Sequence, residues 1–348
     1  MAFNTAFKNA KELQVGVAMD LSTVGAVATT FVQIETDSVS PPTFNDIKLD
    51  RRGGASSGIM SASTDGFVYG VGQSIEGSVS GLMTDTLFPV LMAAATGVTH
   101  ATEWDIDGTV DTNLTFEHGD TSASGLTVSF AYNGVGGTGF DDCVTIPGCV
   151  ITSLTLTADP NEDGGRMKFD LSYVSRTPLT VGATYATALP SSGAISAFTA
   201  EDYVFLSDYS THTQVADADV LMKSFSFTIE NPVVFGGFGG NATDGAPMTY
   251  IRSVPEMIVT ANPVVKYDTN VAALWEAARG TGEGDQTAAL ASPAFEIANH
   301  ATLGGSRGIS ITDGVLTEMA WDEGDYLGVS LTIKAKGDAT SSVFIKHA

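Results

Sequence analysis

The stretches Val150-Ile-Thr-Ser-Leu-Thr-Leu-Thr157 and Met167-Lys-Phe-Asp-Leu-Ser-Tyr173 decide the fold class of this chain. In both, apolar residues alternate with polar ones, which is the period-two pattern of antiparallel strands with one buried face. The segment Asp159-Pro-Asn-Glu-Asp-Gly-Gly165 between them predicts a turn, because its residues favour tight bends. Three more stretches show the same alternation: 126–132, 225–229 and 329–335.

The composition agrees with a mainly β protein of two domains. The length of 348 residues suggests two domains. Only 16% of the residues are charged and 38 are glycine, a mixture that favours short strands and turns over long helices. The formal net charge is −24, with 8 basic and 21 acidic residues in 1–176 and 8 and 19 in 177–348. This balance excludes a groove that grips nucleic acid through clustered Lys and Arg.

Targeting and disulfide signals are not visible in the sequence. The first residues contain no apolar core of a signal peptide. The longest strongly apolar run, 87–95, is far shorter than the roughly 20 residues of a membrane helix, so no membrane insertion is expected. Cys143 and Cys149 cannot form a disulfide framework and are expected to be buried thiols. A bridge between them stays geometrically possible, although a reducing cytosol would not keep it.

Two segments, 84–97 and 267–280, predict helices. Each begins near an Asp or Thr able to cap its first turn and ends at a Gly suited to the left-handed position. A shift of 183 residues aligns the two with six identities in thirteen positions, and strand patterns flank both. The identities start at Asp85, Thr86, Leu91, Ala94, Ala95 and Gly97. We interpret this as an internal duplication.

The duplication predicts two tandem β-sandwich domains, each with one short α-helix. The expected boundaries are an N-terminal arm at 1–19, a first domain at 20–176, a link at 177–217 and a second domain at 218–348. The link is rich in Ala, Thr and Ser and contains Pro178, so we expect an exposed, extended connection.

Each motif that could indicate catalysis, a cofactor or a metal is better explained as a turn, a loop or a surface residue. Asp159 to Asp170 imitates a calcium loop, but strand patterns flank it, and a hairpin turn is expected. Gly134 to Gly139 imitates a phosphate loop, but Phe140-Asp-Asp follows it instead of a helix. The five histidines are scattered without metal-binding spacing. We therefore expect that the protein is not an enzyme and uses no cofactor.

Several of these stretches resemble the major tail tube proteins of long-tailed bacteriophages, specifically the type with two tube domains in tandem. The resemblance covers about two-thirds of the chain and carries no catalytic signature. It does not extend to the link or to the glycine-rich Phe235–Asn241. The stretches that carry it are 13–18, 24–30, 75–97, 114–118, 148–157, 225–232 and 329–335.

The resemblance implies a structural virion protein of the tail tube, made in the host cytoplasm. The lumen-facing sheets would join into a β-barrel ring of three chains with pseudo-sixfold symmetry, and the rings would stack. Double-stranded DNA would pass through the tube during ejection without specific binding. A tape measure protein inside the tube and proteins at the tail ends would be further partners. The alternative is another virion or surface β-sandwich, such as a capsid decoration or a carbohydrate-binding module.

The acidic balance suits a tube that must let DNA pass, because carboxylates repel phosphates. The expected lumen-facing residues lie on or beside alternating strands: Glu76, Asp170, Glu318 and Asp322. Alternation places Asp170 on the face opposite Phe169 and Leu171, so it points away from an apolar core. For any one of these residues, a solvated outer surface is the other interpretation.

Overall fold

The computed structural model shows a mainly β protein in which strands make up 69% of the described residues. One antiparallel sheet dominates the described part, and it is accompanied by one helix. The structure describes residues 13–50, 68–84, 86–98, 103–106, 113–116, 119, 121, 125–134, 140–159, 166–188, 203–208, 213–214, 222–238, 248–253, 257–269, 271–272, 293–298, 307–311, 314–324, 327–335 and 343–347.

The elements follow one another along the chain as follows: β1 Leu13–Met19, β2 Thr30–Ile34, β3 Thr36–Asp50, β4 Val68–Leu82, α1 Leu87–Thr96, β5 Glu103–Ile106, β6 Asn113–Phe116, β7 Val128–Gly134, β8 Phe140–Ala158, β9 Lys168–Ser175, β10 Thr180–Ala188, β11 Tyr203–Asp208, β12 Thr213–Gln214, β13 Met222–Glu230, β14 Val233–Phe238, β15 Met248–Ser253, β16 Ile258–Lys266, β17 Pro293–Ala298, β18 Arg307–Ile311, β19 Gly314–Glu323, β20 Leu327–Ala335 and β21 Val343–His347. All five stretches predicted as strands from alternation lie in or overlap these strands, namely β7, β8, β9, β13 and β20.

Eight strands of the largest sheet run antiparallel in the order β3-β4-β9-β8-β13-β16-β20-β19. We call β3-β4-β9-β8 the first group and β13-β16-β20-β19 the second group. In each group two antiparallel strands are followed later in the chain by a hairpin that adds beside the second of them, so the two groups share one strand order. The pairing of β8 with β13, which we call the junction, joins them edge to edge: Phe225 lies opposite Ala158 and Glu230 opposite Ser153.

A second set of pairings also repeats. The order β2-β1-β7-β8-β10 near the start of the chain matches β12-β11-β17-β18-β21 near its end. In the first set β10 pairs with both β8 and β2, so the five strands close on themselves. A small apolar cluster includes residues from four of these strands, with Tyr185 of the fifth packed against it: Ala18, Ala28, Phe31, Ala131 and Cys143.

Short elements tie the first part of the chain to the second. Strand β5 pairs with β21, and β6 pairs with β15. Asn231, which is buried, donates its side-chain amide to the carbonyl oxygens of Ala95 at 2.7 Å and Ile151 at 3.2 Å. The end of α1 and the middle of β8 are therefore both fixed by a residue just after β13.

The helix α1 packs on the apolar side of the large sheet. Leu87, Leu91 and Met92 belong to the same buried cluster as Leu154 and Leu171 of the sheet. Gly97 follows with φ of 76° in the left-handed region, and its N–H donates to the carbonyl of Ala93, as the sequence predicted. The helix begins at Leu87 instead of the predicted residue 84, and the carbonyl of Thr84 accepts the N–H groups of its first two residues, Leu87 at 3.0 Å and Phe88 at 2.9 Å.

The second predicted helix is described only at its beginning. Asp268 accepts the N–H of Val271 at 3.0 Å through Oδ1, and its carbonyl accepts the N–H of Ala272. This is the N-cap arrangement that the sequence predicted for this residue. Residues 273–280 of the predicted helix lie outside the described residues.

Strands occupy parts of the expected arm and link. Residues 13–19 of the expected arm form β1, which pairs on both sides with β2 and β7 and buries Val15 and Val17. The expected link contains β10, β11 and β12, each paired with another strand. These strands were missed because their partners lie far away in sequence, and Pro178 precedes β10 without interrupting it.

Candidate functional site: the polar face and free edges of the large sheet

The two faces of the eight-strand run differ sharply in chemistry. One face carries buried apolar side chains, such as Phe169, Leu171 and Leu156. The opposite face is rich in hydroxyl groups, and we call it the polar face. Because side chains alternate along each strand, the register partners place the same kind of residue side by side across neighbouring strands. Its hydroxyl residues include Ser78, Ser80, Ser153, Thr155, Thr157, Ser172, Ser224, Ser226, Thr228, Thr260, Ser330 and Thr332.

All four acidic residues predicted from the sequence lie on this polar face. Asp170 is exposed between the buried Phe169 and Leu171, so its predicted face is confirmed. Its register partners are Ser80 and Thr155. The other three candidates lie in register beside polar-face neighbours on the adjacent strands: Glu76 beside Thr43, Glu318 beside Thr332 and Asp322 beside Gly328.

The charge of the polar face is more balanced than that of the whole chain. Among the strand residues whose side chains are described, six carboxylates and four lysines belong to it or contact it, and Asp159 and Arg166 line its depression from just outside the strands with opposite charges. The net charge of −2 that follows is a small bias compared with −24 for the chain. The carboxylates are Asp37, Glu76, Asp170, Glu230, Glu318 and Asp322, and the lysines are Lys168, Lys223, Lys266 and Lys334. Sequence reasoning missed these lysines because it considered carboxylates alone.

Each group contains an ion pair that involves a charged residue at the register shift of its first strand. Asp37 lies at the register shift near the start of β3, and its carboxylate is 3.6 Å from Nζ of Lys168 on β9. Lys223 lies at the corresponding shift of β13, and its Nζ donates to Oδ2 of Asp322 on β19 at 2.5 Å. The pair of the first group spans one intervening strand, β4, whereas the pair of the second group spans two, β16 and β20. Asp322 is therefore neutralised within the chain and is the weakest of the four lumen candidates.

An open depression of about 340 Å³ crosses the junction on the polar face. Its lining comes from β8, β9, β13, β16 and β20 and mixes hydroxyl, amide and basic groups, including Thr157, Ser226, Asn262, Ser330 and Arg166. The junction is thus part of one hydrated surface that runs from the first group into the second. No aromatic side chain suited to stacking on a sugar or base lines it except Phe225.

The two ends of the eight-strand run are free edges. Among the described residues, β3 pairs with β4 alone and β19 with β20 alone. On β19 the side chain of Trp321 is 58% exposed, and its ring meets that of Tyr267 edge-on at 4.7 Å. An unpaired strand edge with an exposed large apolar side chain is a surface for association with another strand.

A buried carboxylate, which sequence reasoning missed, supports the point where β8 bends between its two sheets. Asp20 is 1% exposed and accepts four hydrogen bonds. Burial raises the pKa of this carboxyl above its ordinary value, while the hydrogen bonds oppose that shift. The donors are Thr127 Oγ1 at 2.6 Å, Ser129 Oγ at 2.5 Å, Gly25 N at 2.9 Å and Gly148 N at 3.2 Å. The donors come from the turn after β1, the beginning of β7 and the bend of β8 at Gly148, so we assign Asp20 a structural role.

The other motifs considered from sequence show no site in the described part of the chain. Cys143 and Cys149 are buried thiols that form no disulfide bond with each other, and burial raises the pKa of Cys149. No cluster of three or more potential metal ligands occurs among the described residues. The turn at 160–165 and the glycines at 135–139 lie outside them, as do four of the five histidines. None of the described helices has the length and apolarity that crossing a membrane requires.

No family model and no curated protein matches this chain.

Proposed function

We propose that this chain is a ring-forming structural protein of a tail-tube type, in which the polar face of the eight-strand run lines a channel for double-stranded DNA. In this proposal the chain is two tandem units, one covering about 13–188 and the other about 203–347. Each unit contributes four strands to the channel wall and a second layer of strands outside it.

The observation that carries the proposal is the junction between β8 and β13. It joins the last strand of the first group to the first strand of the second group. The remaining last strand, β19, and the remaining first strand, β3, are free edges in the described part of the chain. The contact already made within one chain can therefore be repeated between chains, with β19 of one copy pairing with β3 of the next. Such a head-to-tail contact closes a ring when its rotation permits.

The dimensions agree with a channel for DNA. Eight strands per chain and three chains give 24 strands in the wall. With a spacing of ~4.8 Å and a tilt of ~40°, these strands span about 150 Å, a backbone diameter near 48 Å. About 35–40 Å remains after the side chains, which is wide enough for a duplex roughly 20 Å across. Three chains of two units each would give the pseudo-sixfold ring.

The chemistry of the polar face supports passage rather than binding. Hydroxyl groups dominate it, and carboxylates slightly outnumber lysines, so phosphates meet a hydrated wall with weak repulsion. Two of the four lysines are held by carboxylates of the same chain. A wall that gripped phosphates would need unpaired clusters of Lys and Arg.

Electron microscopy of the purified full-length chain tests this proposal. We expect rings or tubes in negative stain at high protein concentration, and averaging should give threefold symmetry with six similar lobes. Light scattering should show masses in multiples of three chains. A compact monomer at all concentrations would contradict the proposal and favour a decoration or carbohydrate-binding protein. Rings of six complete chains would contradict the threefold arrangement alone.

A further inference from the structure

The register of the two groups shows which residue of β19 corresponds to which residue of β8. In the first group, the row that starts just after the register shift of β3 runs Ser38, Ser80, Asp170, Thr155. In the second group, the matching row after the shift of β13 runs Ser224, Val264, Ser330, Ala320. Thr155 of β8 therefore corresponds to Ala320 of β19. One residue further along, Leu156 corresponds to Trp321.

These two corresponding residues have opposite environments. Leu156 is 0% exposed, because β13 places Phe227 directly opposite it at the junction. Trp321 is 58% exposed, because no strand of its own chain lies beyond β19 in the described residues. The largest apolar side chain of the free edge is therefore uncovered at the position that the neighbouring strand covers in the other group.

The same comparison identifies the segment that would cover Trp321. Thr228 of β13 lies opposite Thr260, and the matching row of the first group pairs Thr43 of β3 with Glu76. The position before Thr228 is Phe227, and its counterpart on β3 is the pair Pro41-Pro42, at the register shift. At the junction, the smaller Leu156 on β8 faces the larger Phe227 on β13. Between copies, the larger Trp321 on β19 would face the smaller Pro42 on β3, so the large residue lies on the other strand of the contact.

We propose that Trp321 is the anchor of the contact between copies, where it packs at Pro42 on β3 of a second copy of this chain and sets the register of β19 on β3. This inference rests on the proposed ring and adds the residues that hold it together. Prolines lack N–H groups, so this part of β3 offers fewer hydrogen bonds to a partner strand. Side-chain packing of Trp321 makes up for that deficit and fixes the register. Tryptophans in such central positions commonly dominate the affinity of an interface.

The register predicts a specific pair of residues for cross-linking. Thr155 and Thr228 lie opposite each other at the junction, with their hydroxyl oxygens 3.1 Å apart. Their counterparts between copies are Ala320 and Thr43, both exposed. Within one chain these two residues lie at opposite ends of the eight strands, about 34 Å apart at ~4.8 Å per step, so they cannot bridge internally. The native Cys143 and Cys149 are buried and do not interfere.

The test uses the full chain with Ala320→Cys and Thr43→Cys together, assembled and then oxidised with copper-phenanthroline. We expect covalent species up to a trimer on a non-reducing gel. Mixing the two single variants should give dimers only. The off-register combination of Ala320→Cys with Thr36→Cys should give no cross-link. Assembly without the Ala320–Thr43 cross-link would overturn the register while leaving the proposed ring intact.

Trp321 itself is tested by substitution. We expect Trp321→Ala to raise the protein concentration for half-maximal assembly about tenfold or more, and Trp321→Phe to restore most of it. The control is Leu327→Ala, which removes another half-exposed apolar side chain from the same hairpin, but on β20, whose two edges are already occupied. Thermal unfolding of each variant separates a folding defect from an assembly defect. Equal assembly by Trp321→Ala and wild type would overturn the anchor, and failure of the wild type to assemble would overturn the proposed function with it.

Discussion

Lys223 and Asp322 connect the first and last strands of the second group, with Nζ and Oδ2 2.5 Å apart. Their contact crosses β16 and β20 and is possible because Gly328 lies beneath it. A Cβ added at Gly328 would lie 3.2 Å from Oδ2 of Asp322. The edge strand β19 is thus fastened to β13 by a charged contact in addition to its hairpin with β20.

The first prediction concerns this ion pair. A double-mutant cycle of Lys223→Met and Asp322→Asn should give a coupling of about 0.2–1 kcal/mol in the free energy of unfolding, because both side chains are partly exposed. The coupling should shrink as salt is raised, since the charges are screened. Denaturant titrations at low and high salt measure it. The pair Asp37–Lys168 serves as the matched control, and a coupling that ignores salt would contradict the electrostatic interpretation.

A second prediction concerns Gly77 on β4. A Cβ at this position would lie 2.4 Å from the hydroxyl oxygen of Tyr173, which is fixed in the core by a hydrogen bond to Tyr132. We expect Gly77→Ala to lower the free energy of unfolding by about 1–3 kcal/mol through overpacking. The control Ser78→Ala, on the neighbouring polar-face residue, should stay within about 0.5 kcal/mol. Similar stabilities of the two variants in denaturant titrations would refute the overpacking argument.

A third prediction concerns Asp20. In Asp20→Asn, an NH₂ group would replace one carboxylate oxygen and face groups that now donate hydrogen bonds to it. We therefore expect this substitution to lower the free energy of unfolding by about 1–3 kcal/mol. Because the pKa of Asp20 is raised in the folded state, the folded chain holds this proton more tightly than the unfolded chain. The contribution of Asp20 to the free energy of unfolding therefore grows as pH falls through the pKa of the folded state, and it is lost as pH rises through that pKa.

Unfolding titrations between pH 7 and pH 4 measure this dependence. The difference in stability between wild type and Asp20→Asn should increase toward pH 4. The matched control is Asp170→Asn, which removes an exposed carboxylate of β9 under the same conditions. A difference for Asp20→Asn that decreases as pH falls would contradict the sign derived from burial.

A fourth prediction concerns the lining of the proposed channel. Asp170→Lys with Glu318→Lys should leave assembly intact, because both residues are exposed and such changes cost under about 0.5 kcal/mol. Assembled tubes of this variant should retain duplex DNA at low salt and release it as salt rises, whereas wild-type tubes should not retain it. Filter retention of labelled DNA measures this, and slower DNA ejection is expected in particles.

The control for the lining adds lysines elsewhere. Leu21→Lys with Val181→Lys changes two exposed residues that belong to none of the eight strands. These tubes should behave like wild type. Equal DNA retention by both lysine variants would remove Asp170 and Glu318 from the lining.

The offset between corresponding residues in the two halves of the chain differs by one residue between the helix sequences and the strand registers. The identities at the helices imply an offset of 183, whereas the strand registers give Ser80 of the first group the same place as Val264 of the second, an offset of 184. In strands the difference matters, because an odd shift exchanges faces. An offset of 183 would equate the fully buried Ile75 with Ile258, which is 45% exposed. The helices agree with an offset of 184 as well, because the side chains of Thr84 and Asp268 both accept an N–H of the first helical turn.

Local alternation by itself determined the strands and their faces in this protein. It placed the side chains of Asp170 and Phe169 on opposite faces of the sheet, because successive side chains of any strand point to opposite sides, whatever the strand pairs with. The left-handed Gly97 and the cap Asp268 were equally predictable, since both depend on a few adjacent residues. The tertiary structure alone decided that β8 joins β13, that residues 13–19 and 180–188 are strands, and that Trp321 lies at an edge. These features depend on hydrogen bonds and packing between segments far apart in sequence, for which a local pattern carries no signal.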